Sequence, residues 1–269
     1  MPDAVRVDTV EADGASVAVL TLDDPERRNA LSEAMVADLV AIFDRLEEGT
    51  SVGAVVITGA PPAFCAGANL SNLGRAGEAA RGSGGSGQGE SMRSIYEGFL
   101  RVSRSTLPTV AAVNGAAVGA GMNLALACDL RIAGRSAKFD TRFLDLGLHP
   151  GGGHTWMLSR LVGPQTAAAL VLFGQALDGE QAAARGLVWE CVADDALRDT
   201  AVAVAGRAAA GPPELVRRVK HTLRAASVLD DHEPAVDLEL EAQLWSLSQP
   251  FFAERLEAIR RRVSGSGKG

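Results

Sequence analysis

The chain has 269 residues, 47% of them hydrophobic and 22% charged, with a formal net charge of −7. This is ordinary globular composition, enough to bury a large core, and its acidic balance speaks against nucleic acid or an anionic membrane as partner. The three cysteines, Cys65, Cys128 and Cys191, lie far apart without CxxC spacing or clustered histidines. No metal site and no disulfide framework are expected, and a reducing compartment is favoured.

The first residues include acidic side chains and no apolar core segment, so they do not read as a secretory signal and a cytoplasmic enzyme is expected. Val5–Val10 alternates, Ala15–Leu22 reads as a second strand, and Asp13-Gly14 between them signals a hairpin. The segment PERRNAL at 25–31 is a loop that ends at Ser32, an N-cap. The helix behind it places Met35, Leu39, Ile42, Phe43 and Leu46 on one face, and Gly49 closes it. Ala54–Thr58 reads as a buried strand, followed by a turn-rich loop that carries AFCAGANL at 63–70. Residues 71–90, rich in glycine and serine, cannot bury enough apolar surface to order themselves and are expected to form a mobile loop.

A helix capped at Ser91 turns Ile95, Phe99 and Val102 inward and stops at Pro108, ahead of a strand at Thr109–Val113. The stretch Ala111–Asp129, AAVNGAAVGAGMNLALACD, then takes that strand through a glycine-rich turn into a helix. The first N–H groups of a helix have no internal partner, so such a corner aims free donors at one spot and reads as an oxyanion hole. The apolar run is long enough to span a membrane, but Asn114, Asn123, the glycines and the adjacent Asp129 and Arg131 point to a buried core instead. Short strands at Leu130–Ala133 and Ala137–Phe139 follow, then a loop over 140–153, a helix at His154–Leu161, and another from Gly163-Pro164 to Gly174. Asp178 caps a short helix, Val188–Val192 is the last strand, and from Asp194 the pattern is helical only: 194–210, 213–227, 231–247 and 250–263. The order implies an α/β core with an all-helical appendage.

PERRNAL at 25–31, AFCAGANL at 63–70, NGAAVGAGMNLALACDLRIA at 114–133 and GLHPGGG at 147–153, in this order and at these intervals, resemble the crotonase superfamily of enoyl-CoA hydratases and isomerases. The resemblance implies an α/β fold: a ClpP-like ββα spiral core over 1–193, a helical trimerisation region over 194–263, and a flexible tail over 264–269. It implies an acyl-CoA thioester substrate, no cofactor beyond the CoA carried by that substrate, and a homotrimer or dimer of trimers. By position, the thioester oxygen is held by the backbone N–H groups of Ala68 and Ala120. Arg27, Arg28 and Ala30 lie along the CoA, and Ala66, Asn69, Leu70, Asn123 and Phe143 are further substrate-binding positions.

The pattern also breaks. The two glutamates that hydratases of this superfamily use to activate water fall at Asn123 and Phe143, neither of which does acid–base work. Asp145, with His149 as second choice, is the replacement candidate; Asp140 is more remote, a carboxylate position used by some relatives is Gly151 here, and His154 reads as a packed group. GAGMNL lacks the third glycine and the acidic partner of a dinucleotide fingerprint, there is no P-loop, and Cys65 sits in an apolar setting without a nearby histidine, so it reads as packing. The reading is an acyl-CoA enzyme that stabilises a thioester enolate. Its rivals are an isomerase or another lyase or hydrolase on the same scaffold, or a non-catalytic acyl-CoA binder.

Overall fold

The computed structural model describes residues 4–69, 73–74, 77–78 and 88–266, without the side chains of 88–92 and 264–266. Leu70 and most of the segment expected to be a mobile loop, 71–90, therefore lie outside the described residues. The chain divides into two compact units, 1–210 and 211–269.

In the first unit, β1 (Val5–Ala12) and β2 (Ala15–Leu22) form an antiparallel hairpin, and both turn residues, Asp13 and Gly14, have positive φ. That is the conformation for which Asp-Gly turns are favoured, because its twist matches that of the strands. From there the chain supplies strands in alternation to two sheets, until two successive strands join the second sheet and the last returns to the first. β3 (Ala54–Gly59), β5 (Thr109–Val113), β7 (Leu130–Gly134) and β10 (Glu190–Val192) extend the hairpin in the order β1-β2-β3-β5-β7-β10, all parallel from β2 onward. β4 (Ala63–Cys65), β6 (Ala116–Val118), β8 (Lys138–Asp140) and β9 (Leu177–Asp178) build the second sheet, in which only β9 is antiparallel.

The returning helices are α1 (Glu33–Glu48), α2 (Gln88–Arg104), α3 (Ala120–Ala127), α4 (His154–Val171) and α5 (Gly179–Ala184). Two strands and a helix per turn is the expected ββα spiral. Ser32 caps α1 as its sequence requires, its side chain accepting from the Met35 N–H. α2 begins at Gln88, three residues ahead of the expected cap at Ser91. α4 is broken at Gly163, whose φ of 76° and ψ of 165° are not helical, where Gly163-Pro164 signals a new start.

The apolar residues of β2 are buried on both faces. Ala18, Leu20 and Leu22 pack with Met35, Leu39 and Phe43 of α1, while Val17 and Val19 pack with Leu197, Ala201 and Ala205 of α6 (Leu197–Ala209). A strand covered on both sides reads as a continuous apolar run rather than an alternation. α6 thus belongs to the first unit, and the boundary lies at 210/211, not at 193/194: a helix that shields one face of the sheet cannot belong to an appendage. The second unit consists of α7 (Pro213–Ala226), α8 (His232–Leu247) and α9 (Pro250–Ser266), with the Arg218 guanidinium 3.9 Å above the Trp245 ring joining α7 to α8. Part of the segment expected to be a flexible tail is the last turn of α9; residues 267–269 lie outside the described residues. Among the described residues, no helix is long and apolar enough to cross a membrane.

Candidate active site

β4 and β6 are neighbours and parallel, with Ala63 opposite Ala116 and Cys65 opposite Ala117. The segments that leave their carboxyl ends therefore emerge side by side, and in open α/β sheets this end is where ligands bind. The first segment is Ala66–Asn69; the second is Gly119, followed by α3. They interlock closely. A Cβ on Gly67 (φ +93°) would stand 2.5 Å from the Val118 carbonyl oxygen and 3.4 Å from the Ala120 nitrogen, and one on Gly121 would collide with the Cys65 carbonyl. Gly119 takes φ 51° and ψ −114° as the cap of α3, a region that only glycine enters readily. Ala120 is the first residue of that helix, so its N–H has no intrahelical acceptor.

The loop at 25–31 is tied to this corner from the other side. Ala66 N–H donates to the Arg28 carbonyl at 2.9 Å and Leu31 N–H to the Gly67 carbonyl at 2.8 Å. Asn29 holds the loop in shape. It is fully buried at φ +56°, donates its amide to the Ala60 and Ala63 carbonyls at 2.8 Å each, and accepts the Asp24 N–H at 3.0 Å. Asparagine tolerates this left-handed backbone better than most residues. As a result Arg27 and Arg28 are exposed at the rim while Ala30 is buried below them.

A cavity of about 580 Å³ opens at this junction. It brings together Arg27, Arg28, Ala30, Ala66, Ala68, Asn69, Ala120, Asn123, Phe143 and His149. Asp145 is not among its lining residues; it is exposed on the 3₁₀ turn Leu144–Leu146. No carboxylate among the described residues lines the cavity. His149 is exposed at its edge, and its Nδ1 lies 2.7 Å from the Pro150 carbonyl. A carbonyl can only accept, so Nδ1 is the donor in this contact, which leaves Nε2 as the ring nitrogen free to face a ligand.

Asn123 and Phe143 are joined through a third residue. The Asn123 amide nitrogen donates to the Gly151 carbonyl at 3.0 Å, and its oxygen accepts from His154 Nδ1 at 2.7 Å. The Phe143 ring meets the His154 ring edge-on, 5.0 Å between centroids. His154 is buried, its Nε2 has no partner among the described residues, and burial pushes its pKa down to about 4, so the ring is neutral. Cys65 is buried in the core, and burial pushes its thiol up to about 12, so it supplies no thiolate.

Sequence reasoning missed Tyr96 and Arg142, which also line the cavity. Arg142 sits at φ +50° and pairs with Asp140 at 2.6 Å, an arrangement that no local pattern signals. Tyr96 left a trace: it is the chain's one tyrosine, beside the inward-facing Ile95 on α2, and so at the border of the buried face.

The sequence profile of the enoyl-CoA hydratase/isomerase family matches residues 12–251. "Probable enoyl-CoA hydratase EchA14" of Mycobacterium tuberculosis is 51% identical over 251 residues, covering 91% of this chain and 94% of the relative. The 1,2-epoxyphenylacetyl-CoA isomerase of Escherichia coli is 36% identical over 230 residues, covering 84% and 85%. Among solved structures, an enoyl-CoA hydratase from Bacillus anthracis superposes with a TM-score of 0.85 at 28% identity, covering 96% of each chain. A ββα spiral with its cavity at the carboxyl ends of β4 and β6, matched along nearly its whole length by this profile, makes the chain a member of the crotonase superfamily's enoyl-CoA hydratase/isomerase family.

Proposed function

We propose that the cavity binds an acyl-CoA thioester with its carbonyl oxygen between the N–H groups of Ala68 and Ala120, and that the enzyme shifts a double bond along the acyl chain rather than adding water across it. The observation that carries this reading is the pairing of two main-chain corners with a cavity lined, among the described residues, by a histidine and no carboxylate. Hydration needs a group to activate water and a group to protonate C2; with Asn123 and Phe143 in the two glutamate positions, neither is supplied there. Isomerisation needs one base. His149 Nε2 takes a proton from C2, the electron pair passes onto the thioester oxygen as a dienolate, and the imidazolium returns the proton at C4, leaving the double bond conjugated with the thioester. Two preorganised donors at that oxygen supply about 3 kcal/mol or more of transition-state stabilisation. The thioester itself delocalises the charge, so the reaction needs no cofactor.

Arg27 and Arg28 are suited to the phosphates of CoA, since a guanidinium pairs with two phosphate oxygens at once. Ala30, Ala66 and Asn69 belong to the walls of the same binding site, and Asn123 and Phe143 to the acyl end; Leu70 is assigned to substrate binding by its place in AFCAGANL alone. Asp145, which does not line the cavity, is set aside as the base in favour of His149, which does. We further infer that the chain assembles as a homotrimer or a dimer of trimers through its C-terminal helices, and that it works in the cytoplasm.

The test offers 3-enoyl-CoA and trans-2-enoyl-CoA esters to the purified protein and follows the absorbance of the conjugated thioester. The absorbance should rise with the 3-enoyl esters, and hydration of the 2-enoyl esters should run at least about a hundredfold slower than in a hydratase that has both glutamates. His149→Gln should lower kcat/KM for isomerisation by about a hundredfold or more. Full turnover in that variant would show that the proton travels through another residue.

A further inference from the structure

At Gly151 the structure holds a replacement that the sequence does not announce. A Cβ built on Gly151 would collide with the Tyr96 hydroxyl, and the next atom of the ring, Cζ, would lie at 3.2 Å. The phenol of α2 therefore fills the space that a side chain at 151 would occupy. The neighbouring glycine repeats the pattern, since a Cβ on Gly152 would strike the Phe99 ring and stand 3.0 Å from Asn123 Nδ2. Tyr96 and Phe99 stack on each other with centroids 5.6 Å apart. The glycine run is thus threaded between the aromatic face of α2 and Asn123 of α3, and Tyr96 alone of the two aromatics brings a polar atom to the cavity wall.

Tyr96 is half-buried, it lines the cavity, and among the described residues its hydroxyl has no hydrogen-bond partner. A phenol in such a wall gains a partner when a ligand brings an acceptor to it, and a donor left without one disfavours a purely hydrocarbon ligand. Its neighbour Gly151 is two residues from His149 and is held through its carbonyl by Asn123, so the hydroxyl stands beside the loop that carries the proposed base.

We propose that Tyr96 sets the substrate class of this site: its hydroxyl donates a hydrogen bond to an oxygen on the acyl chain itself, so that the preferred thioesters bear a hydroxyl, oxo or ether oxygen close to the reacting carbons. This rests on the acyl-CoA reading above and names the acyl group within it. Sites built to hydrogen-bond an oxygen of the ligand discriminate strongly against the analogue without it, whereas an apolar wall separates chains only by length.

The test measures binding of butyryl-CoA and of 2-, 3- and 4-hydroxybutyryl-CoA to the full chain by calorimetry, in the wild type and in Tyr96→Phe. That variant keeps the ring against Phe99 and removes only the oxygen. At least one hydroxy ester should bind the wild type more tightly than butyryl-CoA, and the ratio of those two affinities should fall by about tenfold in Tyr96→Phe. If no hydroxy ester is preferred, or if the ratio is the same in both proteins, the assignment of Tyr96 is overturned while the acyl-CoA reading stands. If none of the four esters binds the wild type, the acyl-CoA reading itself falls.

Discussion

Gly121 shows how little room the two corners leave. Its position, second in α3, is ordinary for alanine by propensity. Yet a methyl group there would enter the Cys65 carbonyl, which is backbone and cannot swing away. Gly121→Ala should therefore cost about 3 kcal/mol of stability in urea unfolding and push the Ala68 and Ala120 N–H groups apart, with activity lost beyond what the stability loss explains. His154 gives a second single-residue test. Burial holds its folded pKa at about 4, below the ordinary histidine value of 6.5, so the unfolded chain binds a proton in that interval and the folded chain does not. The contribution is complete above pH 6.5 and is lost as pH falls toward 4, about 3 kcal/mol in all. In His154→Gln, which cannot charge, stability measured across that interval should fall by correspondingly less; equal slopes in the two proteins would mean that the imidazole is not held neutral.

Among the elements, α1 and α2 are tied by a polar cluster at the edge of their apolar contact. Arg101 donates to Glu47 at 2.7 Å and to Asp44 at 2.8 Å, and its guanidinium lies 5.6 Å from the centre of the Phe43 ring. Burial raises the Glu47 carboxyl, but hydrogen bonds from Arg101, Ser105 and Thr106 outweigh it and hold the pKa below its ordinary value. Asp44, 55% exposed, adds little, since exposed pairs gain less than about 1 kcal/mol; Glu47, 20% exposed, is the partner that matters. Arg101→Met should lower stability by about 2 kcal/mol, read as a shift in the thermal midpoint. α2 also carries Ile95 and Tyr96, which line the cavity, so the same substitution should weaken acyl-CoA binding without changing any group there. Neither the pairing nor its partners were legible in the sequence, because residues 44, 47 and 101 meet only once both helices have docked.

For the molecule as a whole, the second unit leaves an open question of burial. Val236, Leu240, Leu244 and Leu247 recur at helical spacing along α8, and all four are more than 40% exposed in the single chain. A stripe of this kind is what the proposed trimer would bury. Light scattering should give a mass of three or six times 27.9 kDa, and Leu240→Glu with Leu244→Glu should reduce it to that of one chain. A wild type that runs as a monomer would remove the trimer from the proposal.

The sequence by itself determined the strands of the first sheet and the helices, because alternation, helical spacing and capping are local: the Asp13-Gly14 turn, the Ser32 cap and the break at Gly163 stand where the chain says they should, whereas β4, β6 and β9, two or three residues each in stretches that read as loop, are strands only through their pairing. It also located the glycine-rich corners, since only glycine takes the backbone that Gly67 and Gly119 adopt. It marked Ala68, Ala120, Asn123, Phe143 and His149, and all five line one cavity. Tertiary structure decided what spacing along the chain cannot encode. It left Asp145 on an exposed turn, assigned α6 to the first unit by packing it across the sheet, linked Asn123 to Phe143 through His154, and brought Tyr96 from α2 into the space vacated at Gly151. These are contacts between residues far apart in sequence, fixed only when close-packed elements settle which side chain fills each remaining gap.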